Sequence, residues 1–209
     1  MSLNIPGALP YTDDKDEFFA RRHGKITASR ISDVIAGGAG KTKNKYLYQL
    51  AIERLTGKPI RGGFVSRATE HGNSYEDEAL ELYSLLNCVD VEKIGFVTHP
   101  SLPGSGCSPD CLVGDVGMAQ VKAPDQHTHL GYLLNKEIPR GYFLQMQWEM
   151  ACTQRDWSDF VSYDPDQQTR LRLSVVRVMR DEETITLLEH AAMEFNKEID
   201  QLVEQLMAL

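Results

Sequence analysis

Two short stretches hold the residues best suited to chemistry: Gly106-Cys107-Ser108-Pro109-Asp110 and, a few residues on, Gln120-Val121-Lys122-Ala123-Pro124. An Asp closes one apolar segment, and the next carries a metal-ligand position with a Lys two residues beyond it. Leu112-Val113 and the turn-like Gly114-Asp115-Val116-Gly117 lie between, which predicts neighbouring strands of one hairpin. Strand side chains alternate, so residues 120 and 122 share a face. A carboxylate, a ligand position and an ammonium side by side form the layout of a nuclease. Phosphodiester hydrolysis needs an activated water and relief of the charge that builds on the leaving oxygen.

Four blocks recur in order: Arg22-His23-Gly24-Lys25-Ile26-Thr27-Ala28-Ser29, then Gly72-Asn73-Ser74-Tyr75-Glu76-Asp77-Glu78-Ala79, then the Ser-Pro-Asp and Gln-Val-Lys block, then Tyr142-Phe143-Leu144-Gln145-Met146-Gln147. On these blocks, which span nearly the whole chain, the sequence resembles the PD-(D/E)XK nucleases. Within them it is similar to the lambda-exonuclease/YqaJ-type alkaline exonucleases of phage recombination systems. The resemblance implies an α/β fold with a restriction-endonuclease-like core, a central mixed β-sheet flanked by helices. It implies an ATP-independent 5′→3′ exonuclease on linear double-stranded DNA, releasing mononucleotides and leaving 3′ single-stranded tails for recombination by strand annealing.

By the same resemblance Asp110 contacts both of two Mg²⁺ ions per site, with Mn²⁺ as a substitute. Glu76 holds one ion from a helix, and position 120 holds the other with the Val121 carbonyl. Lys122 orients or deprotonates the attacking water. Arg22, Ser29 and Ser108 match the residues that grip a terminal 5′ phosphate, and Gln145 matches an active-site Gln. The family carries Glu, or less often Asp, where this chain reads Gln120. An amide keeps the shape but lacks the charge that a hard cation draws from its ligands, so slow turnover with intact DNA binding is expected. Partners implied are double-stranded DNA ends, two further copies in a homotrimeric ring, and a single-strand-annealing protein, in the cytoplasm of a bacterial host.

Several residues keep a second reading. Glu76 flanks the stripe Tyr75, Ala79, Leu82 and Leu86 and, taken apart from its block, reads as a solvated boundary residue. Ser29 fits a helix cap, and Gln147 suits the active-site description as well as Gln145. A restriction-like endonuclease shares the metal motif, and a non-catalytic DNA-end-binding protein is compatible with Gln120.

Composition narrows the class. At 209 residues, with no linker-like tract, the chain is expected to form one domain spanning 1–209. No apolar run is long enough to cross a bilayer, and the N-terminus lacks a leader pattern. Cys88, Cys107, Cys111 and Cys152 are expected as reduced thiols, since their spacing suits no zinc site. The net charge of −8 conceals an asymmetry: residues 1–70 hold 12 Lys and Arg against 7 Asp and Glu, leaving 10 against 23 beyond. Arg21, Arg22, Lys25, Arg30, Lys41, Lys43, Lys45, Arg61 and Arg67 could line a DNA-facing surface.

Periodicity and punctuation predict helices after the Asp14/Glu17 box, from Thr27 or Ser29 to Gly37-Gly38, over 45–56, 66–86, 140–153 and 181–207. The last is expected to carry Leu187, Ala191, Phe195, Ile199, Leu202 and Leu206 on one side, facing the core. Strands are predicted over 94–99, at 112–113, and over 118–122, 160–163 and 171–179. A basic glycine-rich loop is expected at 37–45, and His127 and His129 are read as loop residues.

Overall fold

A computed structural model of the chain describes residues 5–36, 40–60 and 67–209, without the side chains of 67–74. Helix α1 (Lys15–Arg22) opens where Asp14 accepts from the amides of Asp16 and Glu17. The reciprocal half of a capping box is absent, because Glu17 bonds Thr12 and Arg21 instead. Strand β1 (Ile26–Thr27) follows, then a 3-10 turn at Ala28–Arg30 and the short α2 (Ile31–Ile35). Helices α3 (Lys41–Thr56) and α4 (Arg67–Asn87) complete the N-terminal part. Ser66, Gly37, Gly38 and Arg61 lie outside the described residues.

Five short strands come next: β2 (Val91–Glu92), β3 (Val97–Thr98), β4 (Ser105–Cys107), β5 (Cys111–Val113) and β6 (Gly117–Lys122). Helices α5 (Gln126–Asn135) and α6 (Arg140–Thr153), strands β7 (Trp157–Tyr163) and β8 (Leu173–Met179), and α7 (Glu182–Met207) end the chain. The main sheet has the order β2-β5-β6-β7-β8, with β6 and β7 parallel and the other pairs antiparallel. A parallel pair needs a crossover, and α5 and α6 supply it. The smaller sheet is β1-β4-β3.

Side-chain alternation sorts the core into two layers. Leu112, Met118 and Phe160 face a cluster with residues of α2, α3, α6 and α7, whereas Cys111, Ala119, Val121 and Val161 face α4 through Ala79, Leu80 and Tyr83. Gln120 and Lys122 share parity with Met118 and therefore face α6. That helix is buried almost all round from Leu144 to Thr153, as expected of a helix sandwiched between layers.

Several sequence expectations are corrected. Lys41, Lys43 and Lys45 belong to the first turns of α3 rather than to a loop; Lys43 pairs with Glu198 of α7 at 2.9 Å, and Tyr46 packs on Phe195. The strand expected over 94–99 is reduced to Val97–Thr98, while β2 joins the other sheet. Strand β4 has too little apolar content to announce itself: its middle residue is Gly106. His129 is a buried residue of α5, its ring between the Ser162 hydroxyl and the Leu171 carbonyl, each at 2.8 Å. His127 lies exposed in the first turn of α5. In α7 Leu187 and Leu206 are exposed, and Ile185 and Leu188 take inward positions beside Phe195 and Ile199.

Gly106 is required by close approach. A Cβ there would lie 2.3 Å from the Val97 carbonyl oxygen and 2.4 Å from the Phe96 ring. Gly106→Ala therefore forces β3 and β4 apart and should cost roughly 1–3 kcal/mol. Urea unfolding checks this, and an unchanged midpoint would contradict the packing.

Candidate active site

Strand β6 delivers its residues by parity. The Gln120 side chain reaches Asp110, donating from Nε2 to Oδ2 at 2.5 Å, and the Val121 amide donates to the same oxygen at 2.7 Å. On the other side Gln120 Oε1 accepts from Gln145 Nε2 at 2.8 Å, and that nitrogen also donates to Glu149 Oε1 at 2.8 Å. A single chain of hydrogen bonds thus runs from Asp110 through Gln120 and Gln145 to Glu149. Its direction follows from the donors: the Val121 amide can only donate and an ionised Asp110 only accepts, so position 120 presents nitrogen to Asp110 and oxygen to Gln145. Lys122 sits over the Tyr142 ring at 5.3 Å, and Tyr142 stacks on Phe160.

Glu76 arrives from α4. Its Oε1 lies 3.3 Å from Lys93 Nζ, and Lys93 also bonds Asp77 and the Tyr11 hydroxyl. Burial, followed by the charge of Asp110, pushes the Glu76 carboxyl up to about 7. Burial likewise raises Asp110, with Lys122 and the Val121 amide acting against it. Burial first and Asp110 second raise Glu149 to about 8. Asp110 thus makes both Glu76 and Glu149 harder to ionise in this low-dielectric space, with Lys93 countering at Glu76 and Lys122 at Glu149.

Arg22 forms the adjoining cluster. Nη1 donates to Ser108 Oγ at 2.8 Å and Nη2 to Ser29 Oγ at 3.4 Å, with the guanidinium 4.7 Å from the Phe18 ring centroid. Burial lowers the Arg22 pKa, opposed by Tyr46, Cys107, Glu149 and Asp110. Its hydrogen-bond partners here are neutral hydroxyls, which leaves a cation able to meet an anion. Ser29 lies in the 3-10 turn ahead of α2 rather than capping or opening the helix predicted from Thr27 or Ser29. Ser108 and Asp110 are two residues apart, so one loop serves both clusters.

The structure thus brings together Asp110, Gln120, Val121, Lys122 and Gln145, sets Glu76 within electrostatic reach of Asp110, and joins Arg22, Ser29 and Ser108 beside them. Gln147 is separated from this group, bonding the Met179 carbonyl and the Asp181 amide. Sequence reasoning missed Glu149 and Lys93. Glu149 had a signal, an acid four residues after Gln145 inside an apolar run. Lys93 had none, since only the fold brings it to Glu76.

The donor set fits a divalent cation in part. Asp110 and Glu76 supply hard oxygens, and the Lys93 ammonium stands against Glu76 as a positive charge. Position 120 does not complete the set as oriented, because its nitrogen faces Asp110. Among the described residues, no three His, Cys, Asp or Glu side chains converge as a ready-made cation site. The four cysteines are free thiols.

Comparison with known proteins agrees with this architecture. The family described as the YqaJ-like viral recombinase domain matches residues 17–156. An alkaline exonuclease, LHK-Exo from Laribacter hongkongensis, is 34% identical with a TM-score of 0.86, over 93% of this chain and 97% of that one. Its complex with dAMP aligns at 35% identity and TM-score 0.86, over 92% and 96%. The uncharacterized protein R354 of Acanthamoeba polyphaga mimivirus is 28% identical over 79% of this chain, which spans about a third (32%) of that relative.

Proposed function

Because the chain belongs to the YqaJ-like viral recombinase family, we propose that it is a nuclease, and more finely a Mg²⁺-dependent 5′→3′ exonuclease on linear double-stranded DNA. It would release 5′ mononucleotides and leave 3′ single-stranded tails for strand annealing. The observation that carries this reading is the shared loop: Ser108, bonded to Arg22, stands two residues from Asp110, so a grip on a terminal phosphate adjoins the acid of hydrolysis. The alkaline exonuclease relative and its dAMP complex support a mononucleotide product.

Glu76, Asp110, position 120 and the Val121 carbonyl would hold the cations, Mg²⁺ or Mn²⁺. When bound, they activate water at neutral pH and neutralise the leaving 3′ oxygen. Lys122 orients or deprotonates the attacking water and steadies the transition-state charge. Gln145 positions the group at residue 120 and, through it, the water or phosphate. Arg22 holds the 5′ phosphate by its planar fork, helped by Ser108 and Ser29. The Gln120 amide satisfies Asp110 internally, so the chain binds ends and cleaves slowly.

A ring of three copies would explain processive digestion, and a single-strand-annealing protein would take up the tails. The work would take place in the cytoplasm of a bacterial host. Among the described residues, no helix is long and apolar enough to cross a membrane. A restriction-like endonuclease is the second reading, since the cation site alone does not fix where cutting occurs. Only an endonuclease opens a closed circular duplex, so circular and linear substrates separate the two. A third reading, a non-catalytic DNA-end-binding protein, is favoured by the bonded Gln120 amide.

End recognition gives a prediction of its own. Arg22→Ala should abolish the preference for 5′-phosphorylated over 5′-hydroxyl ends and lower the salt dependence of binding by about one phosphate contact. Competition binding with the two kinds of end checks it. An unchanged preference would remove Arg22 from the phosphate site.

A further inference from the structure

Glu149 is the most unusual group of the site. It is fully buried on α6, its Oε1 accepts from Gln145, and its Oε2 has no hydrogen-bond partner among the described residues. A buried acid with an unsatisfied oxygen is costly, and packing alone would favour a Met or Leu among neighbours such as Trp148, Met150 and Ala151. Its Oε1 and the oxygen of Gln120 lie 2.8 Å from the same Gln145 nitrogen. The acid is therefore one amide removed from the side chain at position 120.

We propose that Glu149 is a positioning residue of this site, anchoring the Gln145 amide and through it fixing which atom the side chain at position 120 turns toward Asp110. This rests on the nuclease reading. The Gln145 Nε2 has two hydrogens: one meets position 120 and the other meets Glu149. Without the acceptor at 149, Gln145 is free to rotate and position 120 loses its fixed partner. With a carboxylate at 120 the same anchor would hold that group toward the cation position. Removing a group that orients a ligand from behind commonly costs about 10–100-fold in metal affinity or activity.

The groups facing Glu149 are Arg22 from α1, Cys107 from β4, Asp110 from the following loop and Lys122 from β6, with Cys152 on its own helix near Cys107. Its carboxyl is raised to about 8, chiefly by burial. A raised acid gives stability that is full at acidic pH and lost as pH climbs through the folded value near 8. The buried acid therefore weakens folding as pH rises, and a Met in its place does not.

The test uses Glu149→Met, which removes acid and acceptor at similar volume, and Glu149→Gln, which keeps an acceptor. Each is made in the chain and in its Gln120→Glu form. Thermal unfolding is followed from acidic to alkaline pH, Mn²⁺ binding is measured on protein alone, and cleavage of 5′-phosphorylated duplex is measured at saturating DNA. Glu149→Met should unfold at a temperature that gains on the parent's as pH rises, bind Mn²⁺ about 10–100-fold more weakly, and lose kcat by a similar factor with KM little changed. Glu149→Gln should recover most of both at neutral pH. Unaltered Mn²⁺ affinity in Glu149→Met, failure of Glu149→Gln to restore it, or equal destabilisation at every pH would each overturn the proposal. Should no form cleave while Mn²⁺ affinity still falls and recovers as described, the positioning role stands and the nuclease reading fails.

Discussion

Asp110→Asn should lose Mg²⁺-dependent cleavage by about 10³-fold or more, as expected when a group acting with others at a reacting centre is removed. The loss is best read in the Gln120→Glu form, where the starting rate is high. The substitution keeps an oxygen for the Val121 amide, which donates to Asp110 Oδ2 at 2.7 Å, so the hairpin has no reason to open. Burial raises the Asp110 carboxyl; its ionisation therefore opposes folding, and stability contributed by the protonated form is lost as pH rises through the raised value. The neutral amide escapes that loss. Asp110→Asn should thus be at least as stable as its parent at neutral pH while being inactive, and circular dichroism with a cleavage assay reads both properties. Substantial remaining cleavage would remove Asp110 from the site.

Gln120→Glu should raise the rate about 10²-fold or more, a factor that misplacing one reacting group commonly costs. The amide now satisfies Asp110 from Nε2 at 2.5 Å, a role a carboxylate cannot fill. A Glu there would repel Asp110, whose charge already raises the Glu76 carboxyl, and that repulsion is relieved by a cation. The same substitution should therefore lower stability in the absence of divalent ions and restore it when Mg²⁺ or Mn²⁺ is added, by mass action on the folded state. DNA binding should weaken slightly, since one more negative charge faces the phosphate. A thermal shift titration with Mg²⁺ on both forms checks the first statement, and saturation binding to duplex ends checks the second.

Much of this arrangement was legible before any coordinates. The hairpin carrying Asp110 and residues 120–122 follows from alternation and from a turn at Gly114, whose φ is +51°. The helix over 140–153 follows from its length between Pro139 and the residues after Thr153. What stayed hidden has physical causes. Strand β4 is Ser105–Cys107, too short and too polar for a period-two signal. Helix α6 is buried on most sides, so its polar residues Gln145, Gln147 and Glu149 carry no amphipathic mark to separate the two that face the site, Gln145 and Glu149, from Gln147, which bonds the β8–α7 connection. Lys93 meets Glu76 only because α4 passes the β2–β3 loop, a contact that no local pattern encodes. The lysines of α3 resembled a loop because Gly40 and three charged residues outweighed a helix whose inward face starts at Tyr46.

The most direct measurement is a time course of 5′-phosphorylated linear duplex with Mg²⁺ and enzyme in excess, run with the chain and with Gln120→Glu, beside the same DNA as a closed circle. The account predicts that Gln120→Glu shortens the linear duplex from its 5′ ends into mononucleotides and leaves the circle intact, while the chain with Gln120 stays bound to the ends and degrades them more slowly by about 10²-fold or more. Equal rates for the two forms, or a circle opened as fast as the linear duplex is consumed, would contradict it.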